Sequence, residues 1–74
     1  MTPEELHEKI ALAGGWTNRV YTNRSGLSKL FGVTERTIGT WVDTEKLPAP
    51  VMITNRMHFD LEVLAEWLTH EKNW

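Results

Sequence analysis

The stretch from residue 27 to residue 42 constrains the fold more than any other part of the chain. Its first part carries apolar residues at helical spacing and stops at Gly32, which readily takes the positive φ found where helices end. Thr34 can then cap a new helix through its side-chain oxygen. That helix would place three apolar residues on one face, namely Ile38, Trp41 and Val42. Two short helices joined by a glycine-containing turn form the helix-turn-helix plan.

The opposite face of this second helix is polar. It carries four residues that could face duplex DNA, namely Thr37, Thr40, Glu35 and Arg36. In a helix-turn-helix this face enters the major groove, and Gly39 would allow close approach. An Arg can bind guanine through two hydrogen bonds, and a Thr can reach a base edge, a phosphate or a thymine methyl group. An ordinary solvated helix face has the same composition, so these positions alone leave both interpretations open.

Composition limits the class of protein. A chain of 74 residues has room for one domain. It contains no Cys, which excludes disulfides and thiolate metal sites and is typical of a reducing cytoplasm. No apolar run approaches the roughly 20 residues of a membrane span, and the N-terminus is acidic, unlike a signal peptide. We therefore expect a soluble protein of the cytoplasm.

The charge distribution is uneven although the net charge is only −2. Residues 16–40 contain four basic residues against the single acid Glu35, whereas residues 1–15 and 60–74 are acidic. The four basic residues are Arg19, Arg24, Lys29 and Arg36. Such a polarised chain can present a basic face to DNA while remaining acidic overall.

The N-terminal residues predict a separate helix. Thr2, Pro3 and Glu5 form a helix start with a capping box, and the acidic outer face makes this a packing helix rather than a DNA element. Leu6, Ile10 and Ala13 would form its apolar face before Gly14 and Gly15 end it.

A connector over residues 16–22 follows, with Val20 and Tyr21 extended. Either Thr22 or Asn23 can cap the next helix, in which Gly26 would cost about 1 kcal/mol relative to Ala.

After the central stretch, two apolar segments predict a β-hairpin. Residues 51–53 and 57–59 flank a predicted three-residue loop, Thr54-Asn55-Arg56. Alternation about the loop puts Val51, Ile53, Met57 and Phe59 on one face, and Met52 and His58 on the other. Arg56 at the tip could enter a narrow minor groove or contact the DNA backbone. The alternative is a solubilising charge on an exposed tip.

A final helix completes the predicted fold. Asp60 would cap it, and its apolar stripe comprises Leu61, Leu64, Ala65 and Leu68, widened by Val63 and Trp67. The fold class is mainly α with a small β-hairpin, a winged helix-turn-helix with an added N-terminal helix. Residues 1–21 would form that helix and its connector, and residues 22–74 the DNA-binding domain, within one compact unit.

The order of motifs over residues 22–69 resembles a known family. It includes Leu-Phe-Gly-Val-Thr-Glu-Arg-Thr-Ile at residues 30–38, Trp41, Lys-Leu-Pro-Ala-Pro at 46–50, and Leu-Ala-Glu-Trp-Leu at 64–68. Together these motifs resemble the excisionase and AlpA-like group of small MerR-related winged helix-turn-helix proteins of phages and mobile elements. The family pattern usually has Gly where this chain has Glu45, so a strained or altered turn is expected there.

This resemblance implies binding of double-stranded DNA, without catalysis or a cofactor, in excision or in transcription control. By position, Thr34 joins Glu35, Arg36, Thr37 and Thr40 at the major groove, while Asn55, Arg56 and His58 belong to the wing. Four residues would hold phosphates, namely Arg24, Lys29, Lys46 and Arg56. Implied partners are an integrase or other recombinase, a repressor, and further copies of the chain on DNA.

Two other functions stay open. The small terminase subunits of lambda-type phages begin with a similar unit, although they usually continue into an oligomerisation region. A protein-interaction module is the other alternative, favoured by the acidic net charge and by Trp74 as a possible interface anchor. We do not expect an enzyme or a metal site, because His7, His58 and His70 are far apart in sequence and no glycine-rich phosphate loop occurs.

Overall fold

Four helices and a three-stranded antiparallel sheet make up the fold in the computed structural model, which describes residues 1–70. In chain order the elements are α1 (Pro3–Leu12), β1 (Tyr21–Asn23), α2 (Arg24–Phe31), α3 (Glu35–Asp43), β2 (Val51–Ile53), β3 (Arg56–Asp60) and α4 (Leu61–His70). The mainly helical class with a small hairpin is confirmed. Trp74 lies outside the described residues. Within them, no helix has the length and apolar character needed to cross a membrane.

Side-chain caps begin the helices. Thr2 and Glu5 form the predicted capping box of α1. Asn23, rather than Thr22, caps α2 by accepting from the Gly26 amide, whereas Thr22 is fully buried in β1. The Thr34 hydroxyl accepts from the backbone N–H of Thr37 and starts α3. The Asp60 carboxylate accepts from the first amides of α4, at Glu62 and Val63.

The first three helices end in the same left-handed turn. At each end an amide donates to a carbonyl five residues earlier: Gly15 to Ile10, Val33 to Ser28, and Lys46 to Trp41. The residue before each donor has positive φ, 86° at Gly14, 69° at Gly32 and 61° at Glu45. This is the Schellman motif, in which the residue with positive φ is usually glycine. Glu45 keeps the turn without being glycine and therefore bears the strain of this conformation.

The sheet has the strand order β1-β3-β2. Its third strand, β1, was not predicted as a strand, although Tyr21 was expected to be extended. It pairs with β3 through Tyr21–Asp60, Thr22–Phe59 and Asn23–His58. These partners lie far apart in sequence, and a three-residue strand has too little alternation to reveal them. The β1 strand thus joins the segment after α1 to the hairpin.

The hairpin has a different register from the one predicted. Its turn has two residues, Thr54 and Asn55, both with positive φ (50° and 64°), as in the tightest hairpin turns. Arg56 therefore begins β3 opposite Ile53 and does not occupy the tip. A one-residue change in register moves side chains to the other face. Val51 consequently shares a face with His58, and Met52 pairs with Met57, so the predicted faces of Val51, Ile53 and Met52 were wrong.

The core lies between the helices and the inner face of the sheet. Its buried apolar members are Leu6, Ile10, Leu27, Ile38, Leu47, Phe59, Leu61, Leu64 and Ala65. Most of the predicted stripes are confirmed. Two assignments were wrong: Ala13 is exposed beyond the end of α1, and Val63 is 48% exposed on the outer side of α4.

Candidate nucleic-acid interface

Helix α3 is fixed through its apolar side. Ile38 is fully buried, and the ring of Trp41 lies 5.9 Å from that of Phe31 on α2, in an edge-to-face arrangement. Because this side faces the core, Arg36 and Thr40 on the other side are exposed. Of the remaining predicted contact residues on α3 and its cap, Thr34 and Glu35 are exposed and Thr37 is half-buried.

The threonines of α3 form hydrogen bonds within the helix. The hydroxyls of Thr34 and Thr37 lie 3.0 Å apart, and the Thr40 hydroxyl donates to the carbonyl of Arg36 at 3.1 Å. Each hydroxyl can still accept a hydrogen bond. On this surface Arg36 has a long side chain with several N–H donors. The threonines offer methyl groups and hydroxyl oxygens that can accept hydrogen bonds.

A groove of about 370 Å³ lies between the start of α2 and the hairpin, and Glu35 of α3 also lines it. It is lined by Asn23, Arg24, Ser25, Glu35, Met52, Asn55, Arg56 and Met57. The fold thus brings together four predicted site residues from three parts of the chain: Arg24, Glu35, Asn55 and Arg56. Ser25 and Met52 were missed as lining residues. Neither carried a sequence signal, since their positions depend on the α2–hairpin arrangement and on the hairpin register.

One wall of the groove contains an ion pair between α2 and α3. The Nε of Arg24 lies 3.8 Å from an oxygen of Glu35, with both side chains about half exposed (49% and 53%). A Cβ at Gly39 would lie 3.9 Å from Nη1 of Arg24, so the guanidinium rests against the surface of α3. The Arg24 guanidinium thus lies against α3 at the groove, where the Glu35 carboxylate partly offsets its charge.

Three further predicted residues lie elsewhere. The exposed Lys29 approaches the turn that ends α1, with its Cδ 3.9 Å from the position of a Cβ on Gly14. Lys46 is exposed directly after the left-handed turn at Glu45. His58 belongs to the hairpin, but its ring contacts those of Trp16 and Tyr21, with centroids 5.8 and 5.9 Å away. None of these three residues lines the groove.

The basic block of residues 16–40 is not gathered on one surface. Arg19 lies beside a separate hollow that is also lined by the acidic residues Glu4, Asp60 and Glu62. Its charge is therefore offset by its neighbours. Arg19 thus lies apart from the residues that line the groove.

In residues 1–70, no group of three or more His, Cys, Asp or Glu side chains is arranged to hold a metal ion. Comparisons with protein-family models, curated proteins and solved structures find no match to this chain.

Proposed function

We propose that this chain is a sequence-specific, double-stranded DNA-binding protein with a winged helix-turn-helix arrangement. Helices α2 and α3 form the helix-turn-helix, and the β2–β3 hairpin is the wing. Helix α3 would lie in the major groove, with Arg36 and Thr40 toward the base edges. The hairpin would contact the adjacent backbone or minor groove through Asn55 and Arg56.

The groove between the start of α2 and the hairpin carries this proposal. Arginines from two distant parts of the chain, Arg24 and Arg56, line the same groove beside the start of α3. Phosphate neutralisation by such residues drives binding to duplex DNA and makes it salt-dependent. The acidic residues of α1 and α4 belong to other helices, so the net charge of −2 is compatible with a locally basic surface.

The motifs that resemble the excisionase and AlpA-like group support a more specific role. We propose a non-catalytic excisionase, that is a recombination directionality factor, or a transcriptional regulator of a phage or mobile element. An integrase, another recombinase, a repressor or further copies of the chain would be its partners. A small terminase subunit that recognises packaging DNA is the related alternative.

A protein-interaction module is supported by a different surface. Val63 is exposed on α4 between two shallow hollows, one lined by Met1, Pro3 and Glu62, the other by Leu47, Pro48 and Trp67. Glu66 contributes to both hollows. Apolar residues within an acidic rim suit a basic partner segment, and this surface is distinct from the groove.

Duplex selection tests the main proposal. A pool of random-sequence duplexes is incubated with the protein at low salt, and the bound fraction is amplified, sequenced and re-measured by fluorescence anisotropy. We expect an enriched motif, affinity that falls with salt, and weaker binding to the matching single strands. Absence of binding to any duplex at low salt would contradict DNA binding. Capture of an integrase or repressor by DNA-free protein would instead support the interaction module.

A further inference from the structure

The side chain of Arg24 leaves α2 and lies over α3. Its Nε is 3.8 Å from the Glu35 carboxylate, and its Nη1 lies 3.9 Å from the position of a Cβ on Gly39. Glu35 and Gly39 are four residues apart and therefore neighbours on one side of α3. An arginine from the first helix of the pair thus forms part of the surface of the second.

We propose that Arg24 is a specificity-determining residue that reads a guanine in the major groove, and that Glu35 and Gly39 position it for this role. This inference rests on the proposed DNA-binding function. It differs from the role that the sequence pattern suggested for Arg24, which was contact with a phosphate.

The chemistry of the ion pair supports a contact with a base. Glu35 approaches Nε, at the inner end of the guanidinium, which leaves the two Nη groups as a fork that matches O6 and N7 of guanine. The 3.8 Å separation exceeds a hydrogen-bond length, and both groups are about half exposed. Glu35 therefore orients Arg24 without immobilising it, and Gly39 places no side chain beneath the guanidinium.

The backbone that carries Arg24 is held on both sides. Asn23 pairs with His58 across β1 and β3, and the Asn23 side chain accepts from the Gly26 amide at 2.8 Å. Arg24 follows directly, at the junction of sheet and helix. A side chain that starts from a fixed backbone needs less ordering on binding, which favours a specific contact.

Arg56 on the opposite wall provides a matched control. It lies in the same groove, carries the same charge, and is exposed at the start of β3 beside the hairpin turn. We expect Arg56 to contact phosphate, where Lys is an adequate replacement for Arg. The two arginines should therefore respond differently to the same conservative substitution.

The test uses the duplex motif selected by the unsubstituted protein. Affinities of this protein, Arg24→Lys and Arg56→Lys are measured for the motif, for each G·C to A·T change, and for 7-deazaguanine at each guanine, over a salt series. We expect Arg24→Lys to keep the salt slope because charge is conserved. It should discriminate less well at one guanine, by up to roughly 150-fold, and 7-deazaguanine there should weaken its binding less, because an ammonium group lacks the planar two-donor fork. Arg56→Lys should keep the discrimination.

Glu35→Gln adds a test of positioning. Arg24 is retained in this variant, and we expect a partial loss of discrimination at the same guanine with no loss at the others. Thermal unfolding of each variant checks that the fold is intact. We expect it to be, because the substituted side chains are exposed.

The two proposals fail in different ways. If Arg24→Lys discriminates as well as the unsubstituted protein, or weakens equally on every duplex, Arg24 does not read a base, while DNA binding itself stands. If the unsubstituted protein binds no duplex at low salt, both proposals are overturned.

Discussion

A Cβ placed on Gly15 would lie 2.7 Å from the Cα of Gly26, so the turn after α1 lies backbone against backbone on α2. Real Cβ atoms essentially never come so close to another atom. On another side of Gly26, the buried Thr22 hydroxyl donates to the carbonyl of Trp16 at 2.8 Å. The end of α1, strand β1 and the first turn of α2 therefore meet where no side chain fits.

The first prediction concerns Gly26→Ala. Helix propensity alone predicts a gain of about 1 kcal/mol. We expect instead that the free energy of unfolding falls by about 1–3 kcal/mol, because the new Cβ would meet the Thr22 hydroxyl and lie 2.8 Å from the Trp16 carbonyl. Urea unfolding followed by tryptophan fluorescence measures the change.

Gly39→Ala is the control for this prediction. Gly39 is also inside a helix, but its nearest neighbour would be the Nη1 of Arg24 at 3.9 Å, an ordinary contact. We expect a gain of up to about 1 kcal/mol in unfolding free energy at this position. A Gly26→Ala protein as stable as the Gly39→Ala protein would contradict the close packing at Gly26.

The second prediction concerns the strained helix end at Glu45. With φ of 61°, Glu45 adopts the conformation that glycine takes at the ends of α1 and α2. A left-handed conformation destabilises a residue that has a Cβ by roughly 1–2 kcal/mol. Glycine removes this strain, but it also gives the unfolded chain more conformational freedom, which offsets part of the gain. We expect Glu45→Gly to raise the unfolding free energy by about 1 kcal/mol, and the melting temperature by about 4–8 °C.

Asp43→Gly controls for the general effect of introducing glycine. Asp43 is exposed in the last turn of α3 and has ordinary helical geometry. We expect a change of less than about 0.5 kcal/mol there, because Gly is only a few tenths of a kcal/mol poorer than Asp in a helix and removing a negative charge from the C-terminal end of α3 is favourable. Equal effects at residues 43 and 45 would mean that the left-handed turn is not a source of strain.

The third prediction concerns the acid response of α1. The pKa of Glu5 is lowered from its ordinary value of 4.5, first because its carboxylate accepts from the Thr2 backbone N–H and then because it accepts from the Thr2 hydroxyl. Because the pKa of Glu5 is lower in the folded state than in the unfolded state, its carboxylate stabilises the fold at pH values above the unfolded-state pKa. This stabilisation is lost as the pH falls through the folded-state pKa. Melting temperatures should therefore fall less on acidification in Glu5→Gln, whose amide oxygen can still accept from Thr2.

Local sequence signals predicted the helix starts well. Thr2 with Glu5, Thr34 and Asp60 each satisfy amides within three residues of themselves, so a short window contains the whole interaction. Gly32 likewise ends α2 through bonds that close within a few residues. These elements could be predicted because sequence neighbours form their stabilising contacts.

Features that depend on distant partners could not be predicted. The left-handed Thr54, a β-branched residue, shortens the hairpin turn and changes the register against expectation. Gly26 was expected to cost helix stability, whereas its role depends on Gly15 and Trp16. Ser25 and Met52 meet in the groove only because α2 lies beside the hairpin. Tertiary packing determines the role of Gly26 and the meeting of Ser25 with Met52.

The fourth prediction separates base reading from backbone contact in the proposed DNA complex. Arg36 is exposed on α3, so Arg36→Ala should cost about 1–3 kcal/mol of affinity for the selected duplex and relax the preference at one position. Arg56 lies on the hairpin wall of the groove, so Arg56→Ala should weaken binding to all duplexes and reduce the salt slope by about 1. Anisotropy titrations of matched and mismatched duplexes at several salt concentrations measure both quantities. If Arg36→Ala weakened every duplex equally and Arg56→Ala altered the preferred sequence, the assignment of α3 to the bases and the hairpin to the backbone would be reversed.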